Sequence, residues 1–189
     1  MDVIIDHVQK RYGEHPVIAD ADFRIAAGEH VCLSGRSGCG KTTLLRILCG
    51  LEKPDAGRVI LPEKARIACH FQENRLLPWY TVLENLTLVT GSEDASREWL
   101  RKMQLDGTEK LFPDELSGGM RRRVSLARAL AYESEILVLD EPLRELDEKT
   151  AKAMLAAVKD AVGGRTLVLV THDPAQAEAL GCRIICFPL

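Results

Sequence analysis

The sequence predicts an α/β fold, a largely parallel sheet covered by helices with a helical subdomain inserted into it. Three observations carry the prediction. Ile136–Leu139 and Thr166–Val170 are continuous apolar runs of strand length, as expected of strands buried on both faces. A glycine-rich loop stands between a short apolar run and a helical pattern near residue 40. Between about residues 76 and 133 the periodicity changes from strand-like to helical. Strand and helix alternating on either side of that stretch imply parallel pairing.

The elements follow in order. Val3–Val8 and Phe23–Ile25 are short strand-like runs with polar residues interleaved, Ala27-Gly28-Glu29 is a turn, and Val31–Leu33 is the next strand. The loop 35–42 follows, then a helix from about Lys41 to Leu51, with Gly50 near its end and Pro54 beyond. Arg58–Leu61 and Ile67–Phe71 are further strands. Val82–Val89, Ala95–Leu105 and Arg121–Ala131 have helical spacing. After the strand Ile136–Leu139 comes a helix over Asp147–Val162, closed by Gly163-Gly164. Asp173-Pro174 starts another helix, with an acidic cap and Pro at its first position. Ile184–Phe187 is a last strand. The chain is expected to be one domain over 1–189, with a core at 1–75 and 134–189 and the helical subdomain at 76–133.

Composition excludes several classes. A chain of 189 residues with 46% apolar and 28% charged residues can bury a core without disulfide staples, and it is not disordered. A net charge of −3 argues against nucleic acid as a main partner. No apolar run approaches the roughly 18–20 residues that span a bilayer, and no signal peptide is recognisable at the start. A cytosolic location is expected. Cys32, Cys39, Cys49, Cys69, Cys182 and Cys186 have no CxxC spacing and read as reduced, mostly buried small hydrophobes rather than zinc ligands.

The chemistry is concentrated in three segments. Gly35-Arg36-Ser37-Gly38-Cys39-Gly40-Lys41-Thr42 fits GxxxxGK[ST] and has the strand–loop–helix context that gives this pattern meaning. Glycines let successive N–H groups turn inward as a nest for phosphate oxygens, and the helix N-terminus adds its positive dipole end. Lys41 can reach the β- and γ-phosphates, and the Thr42 hydroxyl can bind Mg²⁺. Ile136-Leu137-Val138-Leu139-Asp140-Glu141 delivers two acids at the C-terminal end of a buried strand, where open α/β sheets place ligands. Asp140 suits a Mg²⁺ shell, and Glu141 suits a base or polariser of attacking water. Leu116-Ser117-Gly118-Gly119-Met120 forms a second anion site at a helix start. One chain does not need two γ-phosphate sites; a head-to-tail dimer does.

In this order the segments resemble the nucleotide-binding subunits of ABC transporters, over nearly the whole chain. The resemblance implies a P-loop NTPase core with a mainly parallel sheet flanked by helices, a small antiparallel β subdomain and an inserted helical subdomain, the ABC ATPase fold. It implies ATP and Mg²⁺ as ligands. The phosphate loop with Thr43 would hold the nucleotide. Gln72, in Phe71-Gln72-Glu73, is similar to the glutamine that touches Mg²⁺ and the attacking water. His172, in Val170-Thr171-His172-Asp173, is similar to the switch histidine at the γ-phosphate. Tyr12 stands where an aromatic stacks on adenine. Ser117, Gly118 and Gly119 would close over ATP held by the opposite subunit of a homodimer. The segment Phe71–Trp79, followed by Thr81-Val82-Leu83-Glu84-Asn85, together with Met120, is similar to the nitrate/sulfonate/taurine importers. Its Leu76, Leu77, Pro78 and Trp79 would offer apolar surface to a coupling helix.

The resemblance therefore implies an ATPase on the cytoplasmic face of the membrane. It would power a separate permease, served in turn by an extracytoplasmic solute-binding protein. Arg121-Arg122-Arg123 is expected to be a solvated helix face. Arg144 and Glu145 depart from the family's small residues at a dimer contact, which leaves their effect on closure and hydrolysis open, and relatives usually continue beyond the last strand; with the core motifs complete, binding and hydrolysis without C-terminal regulation are the expectation. Two alternatives are a soluble ABC-type switch not coupled to transport and a degenerate module that binds ATP without hydrolysing it.

Overall fold

The computed structural model describes residues 2–187. Its described residues form two compact units, one of residues 2–69, 134–141 and 164–187, the other of His70–Glu133 and Pro142–Gly163.

The first unit holds two sheets. Strands β1 (Val3–Tyr12), β2 (His15–Ile25) and β4 (Ala56–Ile60) form an antiparallel sheet in the order β2-β1-β4. Strands β3 (His30–Ser34), β5 (Ile67–His70), β6 (Ile136–Asp140), β7 (Thr166–Val170) and β8 (Arg183–Cys186) form the second, in the order β5-β6-β7-β3-β8. The registers of β6 with β7, β7 with β3, and β3 with β8 are all parallel. Every residue of β6 and β7 is buried, as their unbroken apolar runs require. Burying each such Leu, Ile or Val contributes roughly 1.5–3 kcal/mol, so these two strands anchor the unit. Helix α1 (Lys41–Leu48) buries Leu44, Leu45, Ile47 and Leu48, and α6 (Pro174–Ala179) is started by Asp173.

The second unit carries α2 (Val82–Thr90), α3 (Glu93–Lys102), α4 (Gly118–Ala131) and α5 (Glu148–Val162). Their starts are chemically marked. Thr81 and Glu84 make a reciprocal capping box on α2, and Ser92, Ser117 and Asp147 cap α3, α4 and α5 through their side chains. The core beneath them contains Leu86, Leu100, Met103, Val124, Leu126 and Met154.

The largest departure from the sequence reading is the first hairpin. Strand β1 runs on to Tyr12, and β2 begins at His15 rather than near Phe23. The apolar alternation is broken by a bulge after Ile5, where His7 takes a left-handed φ of 48° and Val8 returns to the buried face. That break lies inside the predicted run Val3–Val8; what the reading leaves out, Gln9–Tyr12 and much of His15–Asp22, is mostly exposed and so carries no apolar alternation.

His70 gives the second unit a pH dependence. It is 1% exposed, and its Nδ1 lies 3.1 Å from the Ser125 hydroxyl. Burial above all, and then the positive Arg122, hold its pKa down at about 4. An unfolded histidine titrates near 6.5, so this group favours the fold fully above about pH 6.5. The benefit is lost as pH falls from there towards 4, reaching about 3 kcal/mol at the limit. We predict that His70→Asn flattens the acid limb of denaturant-measured stability between pH 6.5 and 4.5. An unchanged slope would refute this role.

Candidate active site

Residues of the first unit converge at the C-terminal ends of three adjacent parallel strands. The loop 35–40 leaves β3, Asp140 and Glu141 end β6, and His172 lies two residues beyond β7. Gly40 is the α1 N-cap with a left-handed φ of 100°, and a Cβ there would lie 2.7 Å from the Val17 carbonyl oxygen. Gly35 is more constrained still. A Cβ on it would come within 1.9 Å of the Phe187 carbonyl oxygen, so no other residue fits beneath β8. The Phe187 N–H donates to Ser34 O at 2.6 Å and closes the same edge. A cleft of about 540 Å³ opens beside the loop, lined by Ser34 to Cys39, Cys186 and Phe187.

Lys41 is 6% exposed, and its ammonium donates to the carbonyls of Gly35 at 2.8 Å and Arg36 at 2.9 Å. The charge is thus held within the curve of the loop. One residue on, the Thr42 hydroxyl donates to Asp140 Oδ2 at 2.7 Å. These are two hard oxygen donors side by side, and Asp140 is fully buried. That donor set fits Mg²⁺.

Glu141 is 6% exposed and has a left-handed φ of 51°, an uncommon conformation for a residue with a Cβ. Its N–H still donates to Val170 O at 2.9 Å, so the backbone turns out of the sheet at this residue. Glu141 Oε1 lies 3.2 Å from His172 Nε2. The histidine side chain is 58% exposed, so it stands between the buried carboxylate and the open face. A hydrogen-bonded turn supports it. Asp173 N donates to the Thr171 hydroxyl at 3.1 Å, that hydroxyl donates to Gln176 Oε1 at 3.0 Å, and Asp173 caps α6.

Tyr12 lies at the end of β1, half exposed, with its hydroxyl donating to Glu52 Oε1 at 2.5 Å. That hydrogen bond raises the phenol's pKa, while an interaction with Thr43 of α1 opposes it. The aromatic ring therefore stands close to the phosphate-loop helix. Glu52, which holds it there, carried no signal in the sequence.

Gln72, Ser117, Gly118 and Gly119 belong to the second unit. Gln72 is exposed, two residues past β5. The Ser117 hydroxyl accepts the Met120 N–H at 3.2 Å, and α4 begins at Gly118, three residues earlier than the periodicity alone suggests. Trp79 is 69% exposed in the segment after Gln72. The triple arginine is not the solvated face expected of it. Arg121 donates to Pro113 O, Arg122 to Arg144 O, and Arg123 to the carbonyls of Met103 and Gln104. These partners are distant in sequence, which is why spacing did not reveal them.

The contact between His172 and Glu141 carries a prediction. Replacing His172 by Ala should reduce phosphate release by about 10²-fold, the usual cost of losing one oriented polar group at a reacting phosphate, with nucleotide affinity little changed. Turnover within threefold of the parent in a phosphate-release assay would remove His172 from the machinery.

The sequence profile described as "ABC transporter" matches residues 18–144. The chain is 45% identical to the aliphatic sulfonates import ATP-binding protein SsuB 3 of Paraburkholderia xenovorans, over 97% of this chain and 75% of that protein. It is 40% identical to the corresponding SsuB 1 of Shouchella clausii, over 97% and 76%. Among solved structures it is similar to the dimeric, post-hydrolysis ATP-binding cassette MJ0796 bound to ADP and Pi, with TM-score 0.87, 31% identity and 97% and 93% coverage.

Proposed function

Because the chain belongs to the ABC transporter family, as an ATP-binding and ATP-hydrolysing subunit that powers an importer, we propose the finer assignment that its importer carries aliphatic sulfonates. The names and identities of the relatives support the substrate class. The observation that carries the mechanism is the convergence of Lys41, Thr42, Asp140, Glu141 and His172 at the ends of β3, β6 and β7.

In this reading the loop Gly35, Arg36, Ser37, Gly38, Cys39 and Gly40 wraps the phosphates with backbone N–H groups, with Lys41, Thr42 and Thr43 at the helix start. Tyr12 faces the adenine. Thr42, Asp140 and Gln72 would hold Mg²⁺, which when bound neutralises phosphate charge. Glu141 accepts the proton of the attacking water, and the strand end fixes where that carboxylate sits. His172 donates towards the γ-phosphate, its ring kept in place by Glu141. The protein's part is positioning and charge stabilisation, the main contribution available in phosphoryl transfer.

Two copies act head to tail in the proposal, with Ser117, Gly118 and Gly119 of each closing on the nucleotide of the other. The solved dimeric cassettes support a dimer. The helical subdomain is assigned to 76–133. Exposed Trp79, with Leu76, Leu77 and Pro78, forms the apolar edge offered to the permease. No helix among the described residues is long and apolar enough to cross a membrane. In the proposal that partner crosses the membrane and this chain works on its cytoplasmic face. A solute-binding protein on the other side of the membrane delivers the substrate.

The test is reconstitution in liposomes with the permease and binding protein. An alkanesulfonate should raise ATP turnover severalfold above the basal rate, and nitrate or sulfate alone should not. Equal stimulation by nitrate would overturn the sulfonate assignment and leave the ATPase in place.

A further inference from the structure

Arg122 sits five residues into α4 from the Ser117 cap, yet its guanidinium is nearly buried, with the side chain 10% exposed. It donates to the backbone carbonyl of Arg144 at 2.6 Å and lies 3.5 Å from Glu145 Oε2. Both partners lie in the turn Pro142–Asp147, which continues the chain directly from Glu141. Within the turn the Leu146 N–H to Leu143 O bond is long at 3.4 Å, and Glu145 takes a left-handed φ of 63°. Leu143 is buried, and Asp147 caps α5 through the Thr150 N–H at 3.0 Å. The middle of the turn is held by Arg122.

The two contacts are unequal. The Glu145 side chain is 68% exposed, and an ion pair there is screened and contributes little. A charge-assisted bond from a nearly buried guanidinium to a carbonyl is about twice as strong as a neutral one and fixes the backbone directly. The carbonyl contact is therefore the one that sets the turn.

We infer that Arg122 is a positioning residue, tying the helix that starts at Ser117 to the turn that follows Glu141. The inference rests on the roles proposed above for those segments. A helix is a stiff rod with a rise of about 1.5 Å per residue, so a displacement at Ser117 reaches Arg122, about 7.5 Å away, without being absorbed. From there it passes to the Arg144 carbonyl and the turn. Engagement of the Ser117–Gly119 segment and the placement of the carboxylate are then linked through one side chain. Arg144 and Glu145 are not merely bulky intrusions here, because the turn they form is matched to an arginine on the facing helix.

The experiment uses the full chain and three variants, Arg122→Met, Arg122→Lys and Glu145→Gln, with equilibrium ATP binding, steady-state turnover and thermal melting measured for each. Met preserves most of the buried stem of the side chain and removes the donor. Arg122→Met is expected to lower kcat about tenfold or more with KM and ATP affinity within twofold, since small misplacements of a catalytic group carry costs of this order. Arg122→Lys should recover most of the loss, and Glu145→Gln should stay within twofold of the parent. Unchanged kcat in Arg122→Met would overturn the inference. So would a loss that lysine fails to rescue, or one matched by an equal loss of ATP affinity, because those mark a structural role. Parent chain without ATP turnover, by contrast, would refute the reading on which the inference rests.

Discussion

Glu141→Gln is expected to lower ATP turnover by about 10²–10⁴-fold while leaving ATP binding intact. The substitution keeps the size and planarity of a side chain that is 6% exposed, and the amide can still meet His172. What it removes is the capacity to accept a proton from water. Removing a buried charge also lifts a desolvation cost, so the fold should not weaken. With hydrolysis blocked and nucleotide retained, the variant should accumulate as an ATP-held dimer. Single-turnover phosphate release, with light scattering in Mg-ATP, measures both outcomes. Turnover within tenfold of the parent would remove Glu141 as the base. The same variant, tagged and recovered from detergent-solubilised membranes, should bring a multi-span membrane protein with it in stoichiometric amount.

Lys41→Ala should act one step earlier, on binding itself. The ammonium is nearly buried within the phosphate loop and held by the carbonyls of Gly35 and Arg36. In the proposed complex it turns towards the phosphates, and each charge-assisted bond it makes there contributes roughly 1.5–3 kcal/mol. Losing these bonds should weaken ATP affinity by about 10²-fold or more. A titration with a fluorescent ATP analogue reads this directly. Affinity unchanged within threefold would count against the loop assignment. The two variants thus separate binding from chemistry: one should bind and not turn over, the other should fail to bind.

The parts legible in the sequence are those written in local patterns. The phosphate loop, the strand ending in Asp140-Glu141 and the turn around His172 are each short segments whose geometry follows from their own residues, and the parallel sheet places their ends together. The helix starts at Thr81, Ser117, Asp147 and Asp173 are similarly local, because a cap acts within three residues. What the sequence concealed depends on distance along the chain. Glu52 beneath Tyr12 is 40 residues away, and the Phe187 carbonyl that enforces Gly35 is more than 150 away. Most of the first hairpin was hidden because Gln9–Tyr12 and much of His15–Asp22 are exposed, and pairing with a distant strand, not an apolar pattern, makes them sheet. Arg122 was misread because three consecutive arginines look like a wet surface, and only the fold supplies the carbonyls that draw them in.

The backbone at Glu141 has a consequence for anyone who would harden this protein. A left-handed residue with a side chain is a conformational expense that glycine would not incur. A thermostability screen that scored melting temperature alone would therefore tend to reward glycine at the position of the proposed base, since easing strain and burying one charge fewer both favour the folded state. In the proposed mechanism a screen for turnover would oppose that gradient at the same residue. Stabilising substitutions are better sought on the solvent faces of α3 and α5, where nothing in the proposed chemistry depends on them.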